Sequence, residues 1–278
     1  MSVFKDKIAI VTGGASGIGA ALARELAARG AVVQLADVQM DAALGVAAKI
    51  TATGGKAAAH YLDVSDSEAV ARFVARTAAE KGRLDYMFNN AGIAVLGEFR
   101  DLPAADWKRT LDINVSGVFA GTAAAYALMI RQGAGHIVNT ASLAGLVPSP
   151  GFAAYCASKH AVVGLSTSLR LEATEYGVKV SVVCPGFIHT PIFDSKAVGM
   201  REDIAAKAKA RALKLAMAPE ECARQVLEGV AKNRAIIAVT GHAKAMWALQ
   251  RYFPGLLIAL NRRSVRRLHQ ARVAAENA

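Results

Sequence analysis

Short β-branched runs alternate with alanine-rich helical runs over the first 240 residues, and this alternation leaves the chain few folds to choose from. The segments 7–13 (KIAIVTG), 31–37 (AVVQLAD), 56–64 (KAAAHYLDV), 84–92 (LDYMFNNAG), 135–142 (GHIVNTAS), 179–186 (KVSVVCPG) and 235–241 (AIIAVTG) read as strands, several of them running into turns. Between them, 17–30, 41–53, 67–81, 104–132, 152–176 and 219–232 read as helices. Strands that alternate with helices in this way form a parallel sheet with helices on both faces. The strands are nearly continuous in apolar residues, as expected when both faces are covered. The expected fold is α/β, a doubly wound parallel sheet of seven strands. No Pro/Ser/Gly tract or internal repeat divides it, which gives one domain over 1–242 and a C-terminal helical extension over 243–278.

The 278 residues are 54% hydrophobic, enough for one substantial core. No uninterrupted stretch of about 18 apolar residues suggests a membrane span. The longest apolar cluster, FPGLLIAL at 253–260, is short and contains Pro254 and Gly255. The N-terminal MSVFKDK lacks the apolar core of a signal peptide. Cys156, Cys184 and Cys222 lie far apart with no C-x-x-C pair, so a zinc site or a disulfide framework is not expected and a reduced, cytoplasmic compartment is. The net charge of +11 is uneven: from Lys244 onward there are seven Lys/Arg against Glu276 alone, while the preceding 243 residues carry only +5. A nucleic-acid binder would interleave basic and aromatic side chains on one face. The tail has few aromatics beyond Trp247, Tyr252 and Phe253, so nucleic acid is not an expected partner.

TGGASGIG, residues 12–19, joins the first strand to the first helix. Gly13, Gly17 and Gly19 permit a tight turn and close backbone approach, and the helix that follows offers free N–H groups to a pyrophosphate. A purely structural glycine turn is the alternative; the strand–turn–helix context favours the phosphate site. Asp37 closes the second strand, 18 residues after Gly19. A carboxylate there accepts from the adenosine ribose hydroxyls and repels a 2′-phosphate, whereas Ala15 and Val38 supply no cation for one. The expected cofactor is NAD rather than NADP. As an alternative, Asp37 is a turn residue or helix cap.

YCASK at 155–159 places Tyr155 and Lys159 one helical turn apart, on one face. A phenol titrates near pH 10, and a fixed positive charge nearby favours its ionised form. The two residues make either a tuned acid–base unit or an unremarkable surface pair. Bringing the phenol towards pH 7 needs about 4 kcal/mol of differential stabilisation.

In order along the chain, TGGASGIG, NNAG at 89–92, Ser142 after a strand, and YCASK resemble the short-chain dehydrogenase/reductase family over about residues 5–241. That resemblance implies a Rossmann-type fold and a dehydrogenase whose general base or acid is Tyr155. Lys159 would lower the phenol's pKa and hold the nicotinamide ribose, Ser142 would polarise the substrate oxygen, and Asn114 would anchor a water that relays protons. It also implies cofactor contacts from Gly13, Ser16, Gly17, Ile18 and Gly19; from Asp37, Asp63 and Val64; from Asn90, Ala91 and Gly92; and from Pro185, Gly186, Ile188 and Thr190. Homodimers or homotetramers are expected, and no metal is. Each polar residue also has a bland reading as a turn or cap. A dinucleotide-sensing regulatory protein of the same fold is the alternative function, though a sensor needs only the glycine loop. His136, His160 and His189 are read as structural or surface residues.

Val95, Leu96, Leu143, Val147, Phe152 and Phe187 are candidates to face substrate, with 192–217 as a lid. The lid mixes Phe193, Val198, Met200, Leu213 and Met217 with Lys196, Arg201, Lys207, Lys209, Arg211 and Lys214. This suits an apolar secondary alcohol or ketone, with an acidic end if the lid cations face inward; solvated lysines are the competing reading. In the tail, Arg262, Arg263, Arg266 and Arg267 share one helical face, opposite Leu257, Leu260 and Leu268 with Val265 at the margin. Such a helix either packs its apolar side on protein or lies peripherally on an anionic membrane.

Overall fold

The computed structural model describes residues 2–199, 202–262 and 265–266. Seven strands run in chain order as β1 (Ile8–Thr12), β2 (Val32–Asp37), β3 (Lys56–Tyr61), β4 (Tyr86–Asn89), β5 (Gly135–Thr140), β6 (Val178–Pro185) and β7 (Ile236–Val239). All pair in parallel, in the order β3-β2-β1-β4-β5-β6-β7. The doubly wound sheet expected from the alternation is present. The chain reverses its direction of winding between β1 and β4, and ligands of such sheets bind outside the strand ends at that point.

Helices cover both faces: α1 (Gly17–Ala28), α2 (Met40–Ala52), α3 (Ser67–Lys81), α4 (Ala104–Leu111), α5 (Gly117–Gln132), α6 (Ala153–Ala173), α7 (Glu202–Lys214), α8 (Pro219–Ala231) and α9 (Gly241–Tyr252). Period-two alternation splits each strand between two cores. Ala9 and Val11 of β1 join Leu22 and Leu26 of α1 and Val226 and Leu227 of α8 on one face. Ile8 and Ile10 join Phe73 and Val74 of α3 and Ala125 and Met129 of α5 on the other.

Several elements differ from their expected bounds. β3 stops at Tyr61 rather than reaching 64, because the Asp63 carboxylate accepts from the Ser65 N–H and hydroxyl and turns the chain. The last strand ends at Val239, since Thr240 holds φ at 84° and caps α9 by accepting from the Ala243 N–H. The helix across 104–132 is interrupted by one π turn, Asp112–Ser116. Taken whole, Ala104–Gln132 is long and apolar enough by length and composition to cross a bilayer, although polar residues punctuate it and it holds no unbroken apolar run. It is a core helix: Val118, Ala120, Ala125 and Met129 are buried against neighbouring elements.

Asn89 and Asn139, level on β4 and β5, bond side chain to side chain at 2.8 Å. Thr122 of α5 and Ser166 of α6 complete this buried network, in which each side chain has a hydrogen-bond partner. Gly121 lets α5 approach, because a Cβ there would stand 2.0 Å from Asn89 Oδ1. Gly45, on the exposed side of α2, has nothing within 4 Å. Thermal or urea unfolding of the two alanine variants should therefore move in opposite directions. Gly45→Ala should gain about 0.5–1 kcal/mol from helix propensity. Gly121→Ala should lose about 1–3 kcal/mol through overpacking. Equal stabilisation of both would show that α5 does not press on the asparagine pair.

Candidate active site

The turn after β1 is shaped for close approach. Gly13 and Gly17 have positive φ, 66° and 52°, a region that L side chains rarely adopt. A Cβ on Gly19 would overlap Gly13 O at 2.0 Å, so the first turn of α1 sits directly on the loop. Ser16 is extended at the N-cap and makes no side-chain cap bond, leaving the helix's first N–H groups open to an anion. Ile18 packs on the core beneath.

Asp37 ties this loop to the end of β2. Its Oδ2 accepts from Ala15 N at 3.0 Å and its Oδ1 from Gln39 N at 2.9 Å. The turn role and the ribose role are compatible, since each carboxylate oxygen keeps a lone pair. Leu62 N–H donates to Asp37 O, which brings the Asp63–Val64 turn alongside.

Thr12, unflagged in the sequence, organises the next turn. Its hydroxyl oxygen accepts from the N–H groups of Asn90 and Ala91 at 2.9 and 3.1 Å. Asn90 Nδ2 returns a bond to Thr12 O at 3.1 Å. The β1 and β4 turns are thereby locked together. Gly92 follows, and a Cβ there would meet Asn114 Oδ1 at 3.1 Å and Lys159 Nζ at 3.3 Å. Gly92, Asn114 and Lys159 thus converge on one point.

Asn114 lies in the π turn and is buried. Its amide pairs with the Ile93 backbone in both directions at 2.9 Å and donates to Ser158 Oγ at 3.0 Å. Ser158 donates to Tyr155 O at 2.7 Å. The Asn114 side chain therefore holds the β4 turn against α6, and its Oδ1 keeps a second lone pair.

Lys159 is 3% exposed, and its Nζ donates to Thr140 O at 2.9 Å. It stands 5.5 Å from the centre of the Tyr155 ring. Burial pulls its pKa down to about 8. Burial pushes the Tyr155 phenol up, opposed by hydrogen bonding with Ser142, so the protein by itself does not produce the lowered phenol pKa that the Tyr–Lys spacing suggested. Ser142 Oγ accepts from Ala144 N at 3.2 Å, which fixes the hydroxyl at the head of the loop leading to α6.

The loop after β6 closes the other side. Pro185 ends that strand, and Gly186 admits Thr240, whose Oγ1 would be 2.4 Å from a Cβ on the glycine. Ile188 is 3% exposed and bridges to Met217. Thr190 reaches the phosphate loop, with its Cγ2 3.0 Å from where a Gly17 Cβ would be. All the expected site residues therefore fall along the strand ends from β3 to β6. The glycine cradle, the open helix N-terminus and the buried ammonium fit a dinucleotide.

Of the expected substrate-facing residues, Val95 and Val147 are buried at 5% and 4%, while Leu96, Leu143, Phe152 and Phe187 keep partial exposure. The lid cations do not supply an inward acid-binding face: Lys196 pairs with Asp106 and Lys209 with Asp194. Lys207, Arg211 and Lys214 are exposed, and Met200 and Arg201 lie outside the described residues. His136 is buried against Ser181 with its pKa driven down to about 3 by burial, while His160 and His189 are exposed.

The model of the short chain dehydrogenase family matches residues 7–200. Among curated proteins, SadH of Mycobacterium tuberculosis, named as an oxidoreductase, is 38% identical over 90% of this chain and 92% of its own length. EphD of the same organism, also named as an oxidoreductase, is 36% identical over 91% of this chain, which spans only 44% of EphD. Cyclohexanol dehydrogenase of an Acinetobacter species is 38% identical over 68% of this chain and 76% of its own. A Burkholderia phymatum short-chain dehydrogenase/reductase solved with NAD superposes with a TM-score of 0.85 at 32% identity, covering 92% of this chain and 96% of that one. A metagenomic short-chain oxidoreductase solved with NADP does so at 0.70 and 32% identity, covering 85% and 96%. With a family model that covers most of the chain and a fold shared with solved members, this chain belongs to the short-chain dehydrogenases/reductases.

Proposed function

We propose that the protein is an NAD-dependent dehydrogenase that interconverts an apolar secondary alcohol and its ketone. The observation that carries this reading is the meeting of Ser142, Tyr155 and Lys159 beside the glycine loop, with partly exposed apolar side chains around them. When bound, nicotinamide accepts or donates the hydride. Tyr155 takes the hydroxyl proton in oxidation and returns it in reduction. Ser142 holds the substrate oxygen, and Lys159 keeps a positive charge close to the phenol and bonds the nicotinamide ribose. Asn114 holds the turn at Ile93 against α6, and its place beside Lys159 suits a proton path through water.

The preference for NAD rests on Asp37 at the end of β2 with Val38 exposed beside it. A sensing role is the weaker reading, since it gives no reason for the complete Ser–Tyr–Lys set. Exposed Phe119, Leu171 and Tyr176, on α5, on α6 and just beyond it, suit a homo-oligomer. The three thiols are free, with Cys184 and Cys222 pushed up to about 12 by burial, which suits a cytoplasmic location.

Tyr155→Phe keeps the ring and loses the ionisable oxygen. It should leave less than about 1% of the turnover of secondary alcohols, because general acid–base catalysis is worth about 10²–10⁴-fold. NAD affinity by calorimetry should stay close to wild type. Retained activity would remove Tyr155 as the base.

Lys159 is charged below its pKa of about 8, and that charge favours phenolate. Lys159→Ala should therefore move the pH profile of oxidation to the alkaline side and raise the KM for NAD. An unmoved profile would separate the two residues.

Asp37→Ala combined with Val38→Arg should shift kcat/KM from NAD towards NADP by about tenfold or more, as one charge-assisted contact to a phosphate warrants. A wild-type enzyme that already favours NADP would refute the assignment.

A further inference from the structure

The C-terminal extension is attached to the substrate side of the site at two places. At its start, His242 stacks on Phe187 at 5.4 Å and 16°, and Phe187 in turn meets Phe193 of the lid at 6.3 Å. Further on, residues 254–262 are helical, and Leu257 is 1% exposed. Asn261 Nδ2 donates to Pro148 O at 3.4 Å. Pro148 belongs to the loop between Ser142 and Tyr155, whose Phe152 ring lies 6.3 Å from the Tyr155 ring. The extension therefore joins the two loops that carry Phe187 and Phe152.

Between the extension and the Pro148 loop lies a groove of about 440 Å³. Small-molecule sites occupy about 300–1,000 Å³. Pro148 and Pro150 form one wall, with Ile258 and Val265 on the other. Arg262 and Arg266 line it as well. Among the described residues neither guanidinium has an ion-pair partner, in contrast with Lys196 and Lys209 of the lid. An apolar trough with two unpaired guanidiniums asks for an apolar chain with an anionic end, which Arg recognises through paired N–H bonds.

We propose that this groove binds the far end of the substrate: a hydrocarbon chain that lies between the prolines and Ile258/Val265 and ends in a carboxylate at Arg262 and Arg266. The proposal rests on the alcohol dehydrogenase reading, to which it adds the substrate's class. A second copy of the chain is a poorer occupant, because its own extension carries the same excess of positive charge. A bilayer is poorer too, because Ile258 and Val265 face a concave trough walled by prolines.

The test uses the full-length protein with decanoate and decanol as probes in titration calorimetry. Decanoate should bind once per chain, more tightly than decanol. Arg262→Ala with Arg266→Ala should weaken decanoate by about tenfold or more, as loss of charge-assisted bonds requires. Tyr155→Phe should still bind decanoate, which separates the groove from the chemistry. With NAD, the double variant should lower the ratio of kcat/KM for 9-hydroxydecanoate over 2-decanol about tenfold. If wild type oxidises neither alcohol yet binds decanoate through the arginines, the dehydrogenase reading fails and the groove stands. Equal decanoate affinity in wild type and double variant overturns the groove. So does sedimentation with phosphatidylglycerol vesicles without decanoate binding, which would make the partner a membrane. A changed oligomer mass in the double variant, with decanoate binding intact, overturns it in favour of a subunit contact.

Discussion

A buried ammonium sets the terms for this active site. Lys159 Nζ rests on the Thr140 carbonyl at the end of β5, out of contact with bulk water. Placing a cation in a protein interior costs several kcal/mol unless fixed dipoles replace its hydration. The strand end supplies one such dipole, and the depressed pKa reports the cost that remains. This single bond fixes α6 against β5, and with it the position of Tyr155 one turn earlier. Gly145 tightens the same junction: a Cβ there would lie 2.6 Å from Lys159 O, so the loop from Ser142 can lie flat on α6 only with glycine. The bond from the amine and the close packing at Gly145 together place the serine, the phenol and the amine.

The protein alone raises both barriers to ionising the pair. Burial opposes phenolate at Tyr155 and opposes ammonium at Lys159. Under the proposed function, a positive charge arriving with the dinucleotide would favour phenolate at Tyr155 and make the site basic when it is occupied.

What could be read from the sequence was what local spacing carries. The glycine loop, the Tyr155–Lys159 turn and the strand-ending Asp37 announce themselves within a few residues, and the sheet follows from the alternation of patterns. Contacts across the sheet do not. Thr12 looks like the polar end of an apolar strand, yet it locks the turn of β4, 78 residues away. Thr140 serves through its backbone carbonyl, which no side-chain identity can signal. Ser158, three residues after Tyr155, was visible in YCASK, but its link to Asn114 depends on how a distant helix crosses α6. For the lid cations the sequence shows charge and not pairing: the solvated reading fits the exposed lysines, but that Asp106 and Asp194 engage two of them was not legible.

The π turn at Asp112–Ser116 has a consequence for how this region can change over generations. Along the helix, Thr110, Asn114, Val118, Gly121, Ala125 and Met129 are buried, with Gly117, Ala120 and Thr122 beside them. The extra residue in the turn keeps these positions in phase with the sheet. Losing it would convert the turn to ordinary helix and rotate everything downstream by about 100°. Gly121 would swing away from Asn89, and a larger residue would take its place. Substitutions here act one at a time, but a single-codon deletion would put two helix halves out of register with one sheet, so the length of this segment is under tighter constraint than most of its letters.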